Sequence, residues 1–467
     1  MSARLERAVA QAGDTAVVLV EQGSVARTGG LVRDHLPGDA VVVADANTWP
    51  AAGEAVTASL RAAGVSLAGD GAPMIVPGEP VVHADADTVA LVRARLTELA
   101  DAGAPAGAGA GATGGAPLAV IAVGSGCLND VVKRACGELE WPYAVVGSAA
   151  SMDGYTGFGA SIAVDGVKTT LPCPAPRVAV LDSQVAVGAP RLMVASGFGD
   201  LLGKVPAGAD WILADAVGVE AIDADVWDLV QGPLRASLAK PAALAAGDLA
   251  AFDGLLEGLA MSGLAMQVFG GTRPASGAEH YFSHVWEMEG LGADRVPPLS
   301  HGEKVGVGSV AVAAFYDVVL SRDLRTLDLD AAVAAYPSWA DVEARVHAAF
   351  AGFPVPIVAA AAKQTKDKYV DESGLRTHLG ALQERWDVLT ARLRDQLLPA
   401  PELQAMLRTV GGPAAPEDIG LTRERLRATY PQARMFRSRW TVLDLAFEAG
   451  WFDEIVEELF APGGFWH

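Results

Sequence analysis

The sequence predicts an amino-terminal α/β domain, residues 1–185, followed by an all-helical domain, residues 186–467. Three observations predict it. Short β-branched runs alternate with Ala-rich helical stretches through about residue 185. Beyond that point strand signals are scarce, and long Ala/Leu periods broken by Gly and Pro take over. The 467 residues also exceed one typical core.

The elements follow in order. Val41–Ala44 is a short β-branched run ending at Asp45, and Ala-rich helical patterns follow over 51–64 and 86–102. Residues 101–117 are almost all Gly, Ala and Pro; with nothing to pack, they read as a flexible surface insertion. Leu118–Val123 has the length and apolarity of a strand, and it runs into Gly124–Ser125–Gly126 and a helix from about Leu128. Tyr143–Val146 and Arg177–Leu181 read as further strands, and the Asp-Gly step within 161–170 signals a hairpin. In the second half, helical periods cover 242–268, 327–350, 373–398 and 438–460, with no internal repeat.

Composition narrows the function. Hydrophobic residues make up 51% of the chain, which excludes disorder as the default. A net charge of -21 argues against general nucleic-acid binding and against attraction to anionic membranes. It does not exclude an anionic substrate held in a locally basic pocket. Cys127, Cys136 and Cys173 are too few for a disulfide framework or a Cys-rich structural zinc site. The first residues lack an apolar signal core, and Ala-rich stretches such as 241–251 are broken by Gly and Asp. A cytoplasmic protein without a membrane span is expected.

Four segments carry chemistry. At Gly124–Ser125–Gly126 a strand ends and a helix begins, so glycines admit a ligand to a helix end whose N–H groups and dipole favour phosphate. A tight strand-to-helix turn is the plain alternative there. Asn129 and Asp130 fall in the first helical turn, and Asp45 can accept from a ribose hydroxyl or be a solvated loop acid. Residues 147–157 set small hydroxyl residues beside Asp153 in a glycine-flanked loop after a strand, where ligand crevices or simple Asp-Gly turns occur. His280 and His284 are four apart and share one helix face, with His301 arriving after a Pro-rich loop; imidazoles are strong ligands for divalent transition metals. Asp200, between glycines, reads locally as a helix N-cap before it reads as a metal ligand. Lys204, four residues on, suits either a phosphate or a pair with Asp200 across a helical turn.

Taken together, GSGCLND (124–130), SAASMDG (148–154), FGDLLGK (198–204), TRPASGAEHYFSH (272–284) and HGEKVGVGSV (301–310) resemble the glycerol-1-phosphate dehydrogenase family, including its AraM-like branch. SRWTVLDLAFEAGW (438–451) is similar to that family's carboxyl-terminal helix. The family lies in the superfamily of iron-containing alcohol dehydrogenase and dehydroquinate synthase. The resemblance implies a Rossmann-like nucleotide-binding domain and an all-α metal-binding domain of the dehydroquinate synthase-like kind. It implies Asp200, His280 and His301 as metal ligands, and Asp153, Asp200 and His284 as substrate contacts, with Asp153 and His284 closest to the chemistry. Gly124, Ser125, Gly126, Cys127, Leu128 and Asp130 would lie along the dinucleotide pyrophosphate. Ser148, Ala149, Ala150, Ser151 and Gly157 would also contact the cofactor, with Asp45 near the adenosine ribose.

The implied cofactors are NAD or NADP and one divalent ion, zinc first, with nickel or iron as alternatives. The implied substrates are dihydroxyacetone phosphate and sn-glycerol 1-phosphate, handled by a dimer or larger homo-oligomer. Lys204, Arg273 and Lys304 are cationic candidates for the phosphate, or else surface charges or ion-pair partners. The alternatives are a related sugar phosphate cyclase, a dehydrogenase of another polyol, and a non-catalytic metal- and nucleotide-binding protein. Two departures stand out. Gly157 occupies a position where the family usually has serine, and the 101–117 insertion and the loop between His284 and His301 are longer than usual.

Overall fold

A computed structural model describes residues 2–78, 81–103, 116–164 and 167–467. Most of the Gly/Ala-rich stretch (104–115) and the Asp-Gly step read as a hairpin signal (165–166) lie outside the described residues. Contacts group the chain into two units, Met1–Leu201 with Asp228–Thr272, and Leu202–Trp227 with Arg273–His467.

The first unit contains β1 (Val17–Val20), β2 (Ala40–Ala44), β3 (Met74–Ile75), β4 (Ala119–Gly124), β5 (Tyr143–Gly147), β6 (Ala160–Val164), β7 (Val167–Leu171) and β8 (Val178–Leu181). Six of them form one sheet in the order β1-β8-β5-β4-β2-β3, and every adjacent pair is parallel. Residues of β2, β4, β5 and β8 are buried throughout, as expected of parallel strands covered on both faces. Val42, Ala44, Val56, Leu60, Ile121, Val123, Val146 and Val180 share one core cluster. β6 and β7 make the expected antiparallel hairpin. β1, an apolar run without alternation, was not among the strands the pattern signalled.

The sheet order has a functional consequence. From β2 the chain moves outward to β3, whereas from β4 it moves the other way to β5. The carboxyl ends of β2 and β4 therefore flank the point where the winding reverses, the place where open α/β sheets form their ligand crevice.

Three helical periods prove to be two helices each. Pro241–Ala245 and Leu249–Phe269 are parted by Gly247, at φ 77°, and by the N-cap Asp248, which accepts from the Ala251 N–H. Leu329–Ala335 and Trp339–Ala349 are parted around the N-cap Ser338, just after Pro337. Val442–Glu448 and Phe452–Phe460 are parted by Gly450, at φ 73°. Leu249–Phe269 is long and apolar enough to cross a membrane, yet 72% of its apolar window is buried inside the protein. It belongs to the first unit, beyond the expected limit at residue 185.

In the second unit, all elements among the described residues are helical. Ala278–Met288 and His301–Val319 lie close together. A Cβ on Gly308 would stand 2.5 Å from the Glu279 carbonyl oxygen, so a glycine is needed at that approach. Phe282, Trp286, Phe315 and Tyr430 pack around the crossing, with Phe282 edge-on to Tyr430 at 4.8 Å and Phe315 stacked on it at 5.7 Å. A capping box, Ser300 with Glu303, starts the second helix immediately before His301.

Candidate active site

Asp45 directly follows β2, Gly124 ends β4, and Ser148 follows β5, so all three stand at carboxyl ends of neighbouring strands. A Cβ on Gly124 would lie 2.6 Å from Leu128 Cδ2, which explains the glycine by close strand-helix packing. The helix Gly126–Leu139 has Ser125 as its N-cap without a side-chain capping bond. Asp45 is half-buried, and its Oδ1 accepts from the N–H groups of Asn47 and Thr48, both at 2.8 Å. Asp130 holds the hairpin: its Oδ2 accepts from the Ser161 N–H at 3.1 Å, and its Oδ1 lies 3.6 Å from Lys133 Nζ.

Residues 148–151 are buried, and Met152, Asp153 and Gly154 after them are half-buried. Tyr155 donates to the Ala149 carbonyl at 2.7 Å and sits 3.2 Å from Ser151 Oγ, while Ser196 donates to the Ser151 carbonyl at 2.9 Å. Lys133, 1% exposed, closes the loop by donating to the carbonyls of Gly154, Gly157 and Gly159 at 2.9, 2.9 and 3.1 Å. The other wall of this loop is the helix Leu249–Phe269. Ser262 donates to Asp153 Oδ2 at 2.8 Å, and Thr156 donates to the Ala260 carbonyl at 2.7 Å. A Cβ on Gly263 would fall against Thr156 Oγ1 and 2.6 Å from the Asp153 carbonyl oxygen. At Gly157, where the family's serine is absent, a Cβ would meet only the flexible end of Met266 below 3.4 Å.

Asp200 is not an N-cap. It lies in the last turn of the helix Arg191–Leu202, and the next helix, Lys204–Ala216, has Gly203 as its N-cap. The glycines around Asp200 serve packing instead. A Cβ on Gly197 would run into the Ala150 carbonyl, so this helix lies directly on the 148–151 loop. Asp200 is 1% exposed, and its Oδ2 accepts from the Asp153 N–H at 3.0 Å. Lys204 opens the helix that follows the one carrying Asp200, so the two residues do not share one helix.

The three histidines converge. His280 and His284 lie on the helix Ala278–Met288, and His301 opens the helix His301–Val319. Their ring centroids are 5.2 Å apart for His280 and His301, 6.0 Å for His284 and His301, and 6.1 Å for His280 and His284. Each ring presents Nδ1 to a carboxylate. His280 Nδ1 is 2.7 Å from Glu279, His301 Nδ1 is 2.7 Å from Glu287 Oε1, and His284 Nδ1 is 3.4 Å from Glu287 Oε2. An imidazole that donates from Nδ1 to such a carboxylate carries its lone pair on Nε2, the form that ligates a cation. His280 and His301 each offer one ligand atom, and these two atoms lie within 4.8 Å of each other.

Burial pushes His284 down to about 3, against a weaker opposing pull from its Glu287 hydrogen bond. Burial pushes the Glu279 carboxyl up to about 7, opposed by the Gly277 N–H and by the charges of Lys204 and Arg273. Of the cationic candidates, Arg273 is wholly buried. It pairs with Glu220 at 3.0 Å and donates to the Asp210 carbonyl at 3.0 Å, so it is an ion-pair partner within the fold. Lys204 is buried, and Lys304 donates to the Leu299 carbonyl at 3.2 Å.

Sequence reasoning passed over Glu279, Glu287, Ser262 and Lys133. Glu279 had a legible signal, an acid next to a ligand-type histidine. Glu287, three residues after His284, had one too, although its partner His301 was out of reach of any local pattern.

A profile of the iron-containing alcohol dehydrogenases matches residues 19–190. The chain is 30% identical over 329 residues to the glycerol-1-phosphate dehydrogenase (NAD(P)+) of Geobacillus thermodenitrificans, covering 70% of each chain. It is 35% identical over 278 residues to that of Bacillus velezensis, covering 59% of this chain and 65% of the relative. These alignments thus span roughly two thirds of the relatives' length. A crystal structure of glycerol dehydrogenase from Schizosaccharomyces pombe shares the fold, with a TM-score of 0.57 at 16% identity, over 96% of this chain and 92% of that one.

Proposed function

This chain belongs to the glycerol-1-phosphate dehydrogenase family, and from that premise we propose that it reduces dihydroxyacetone phosphate to sn-glycerol 1-phosphate, and the reverse, with NAD or NADP. The observation that carries the proposal is that His280 and His301 bring ligand atoms within 4.8 Å of each other, both imidazoles meeting carboxylates at Nδ1; Asp200 is the third ligand that the family resemblance implies. Two neutral imidazoles and one carboxylate form the donor set of a catalytic divalent site, with room for a substrate oxygen. Zinc suits it, and so do nickel and iron.

In the reaction, a nicotinamide supplies the hydride and the divalent ion supplies Lewis acidity at the carbonyl oxygen. The chain's own residues do the rest. Gly124 to Leu128 and Ser148 to Ser151 form a close-fitting backbone surface for the cofactor, on the crevice beside Asp45. Asp153, held by Ser262, accepts from a substrate hydroxyl and fixes its orientation. His284 contacts the substrate through Nε2. Its Nε2 lone pair can accept a hydrogen bond from the substrate hydroxyl and so steer the proton at that oxygen. Asp45 favours NAD, because its charge opposes a 2′-phosphate.

The test is a panel of purified protein, divalent metals, NADH and NADPH, with dihydroxyacetone phosphate, dihydroxyacetone and related ketoses. A metal-dependent fall in nicotinamide absorbance, largest with dihydroxyacetone phosphate, is expected. Metal and nucleotide binding without any turnover would overturn the proposal. So would product formation without net nicotinamide consumption, the behaviour of a cyclase that recycles its NAD.

A further inference from the structure

We infer that Glu287 is a positioning residue that sets the ring tautomers of His284 and His301 jointly, so that the proposed metal ligand and the proposed substrate contact are prepared by one carboxylate. The inference rests on the metal-site reading above and deepens it. Glu287 is on the same helix as His284, three residues on, and its side chain is 6% exposed. One oxygen meets His301 Nδ1 at 2.7 Å; the other meets His284 Nδ1 at 3.4 Å. By contrast, His280 has a carboxylate of its own in Glu279.

The chemistry of the carboxylate makes this arrangement selective. An ionised carboxylate only accepts, and it has two oxygens to accept with. Facing two Nδ1 atoms, it holds a proton on both of them and leaves both lone pairs on Nε2. A glutamine in its place has one acceptor oxygen and one amide donor. Whichever imidazole meets the amide must offer a lone pair at Nδ1 and carry its proton on Nε2. If that ring is His301, cation binding suffers. If it is His284, the ring turns from acceptor to donor towards the substrate. Glu287→Gln nearly preserves size, so the change isolates this function from packing.

The test reads tautomers directly. Nitrogen-15 spectra of imidazole-labelled, metal-free protein, assigned with H284N and H301N, should show both rings protonated at Nδ1 in the wild type. E287Q should move one of the two to the Nε2–H form. Zinc affinity, measured by chelator competition, should weaken about 10- to 100-fold, or the KM for dihydroxyacetone phosphate should rise while affinity holds, according to which ring switches. The thermal midpoint of metal-free E287Q should stay near that of wild type. Either ring protonated at Nε2 in the wild type overturns the inference, whether or not the variant folds. So does an E287Q protein whose tautomers, zinc affinity and KM are all unchanged. Wild-type protein that binds no divalent ion would sink the metal-site reading instead, while the tautomer spectra would still decide the role of Glu287.

Discussion

The two units, each taken by itself, carry candidate residues of different kinds. The first offers mostly backbone and small residues, beside the carboxylates Asp153 and Asp200: Gly124 against Leu128, Gly263 against the Asp153–Gly157 loop, and Lys133 holding three loop carbonyls. The second offers side chains, three imidazoles whose rings are turned by Glu279 and Glu287. A backbone surface suits a long cofactor that must be grasped without much chemistry. Fixed imidazoles suit a reacting atom, where charge has to be stabilised at one point. If this contrast is right, damage to the second unit's side chains should abolish chemistry, whereas damage to the first unit's packing should cost stability and substrate fit.

The largest effect is expected from H280A and H301A. Each removes one of three donors around the proposed ion, and the Lewis acid contributes several kcal/mol to the barrier. Turnover should fall by about 1,000-fold or more, with the protein still folded but depleted of metal by elemental analysis. Retention of metal and near-normal rates would break the comparison at its strongest point.

K133M comes next. Methionine keeps the stem but removes three hydrogen bonds from a charged donor, leaving buried carbonyls without their partner. A loss of about 3 kcal/mol is expected, read as a lower urea midpoint, with no change in the zinc affinity. G263A should cost about 2 kcal/mol by overpacking against the Asp153 loop. S262A removes only the hydroxyl that holds Asp153 Oδ2, and should reduce kcat/KM by about tenfold, equivalent to about 1.4 kcal/mol, through KM more than through kcat. An unchanged KM in S262A would mean that Asp153 needs no external support.

Much of this contrast was legible in the sequence, and what was hidden shares a physical cause. Gly124–Ser125–Gly126 and the His280/His284 pair were readable because a turn and a helix face are local patterns. Asp200 was misread as an N-cap because glycines flanking an acid look alike at either end of a helix. Only the fold shows that Gly197 is there to admit the Ala150 carbonyl and that the helix ends two residues after Asp200. Ser262 and Asp153 meet across 109 positions, and Glu287 and His301 across 14 and a helix break. Such pairs are set by packing, which no single-sequence period encodes. The split of 242–268 at Gly247 and Asp248 was visible in principle, since Gly followed by Asp is a stop and start signal, but uniform hydrophobicity masked it.

The smallest expected effect refines the first unit's part in the contrast. Asp45 has two tasks in this fold. Its Oδ1 closes the turn after β2 by accepting from Asn47 and Thr48, and its negative charge stands at the winding reversal where the adenosine end of a dinucleotide would lie. D45N separates the tasks, because asparagine keeps the Oδ1 acceptor and loses the charge. A unit charge near a 2′-phosphate in a solvated crevice is worth about 1 kcal/mol, so the ratio of kcat/KM for NADPH to that for NADH should rise about fivefold, with stability unchanged. If the ratio does not move, Asp45 is a turn residue alone, and the first unit discriminates between the two cofactors by other means. If stability falls as well, the turn depends on the charge as much as on its geometry, and the surface that grasps the cofactor is less purely a matter of backbone than the comparison holds.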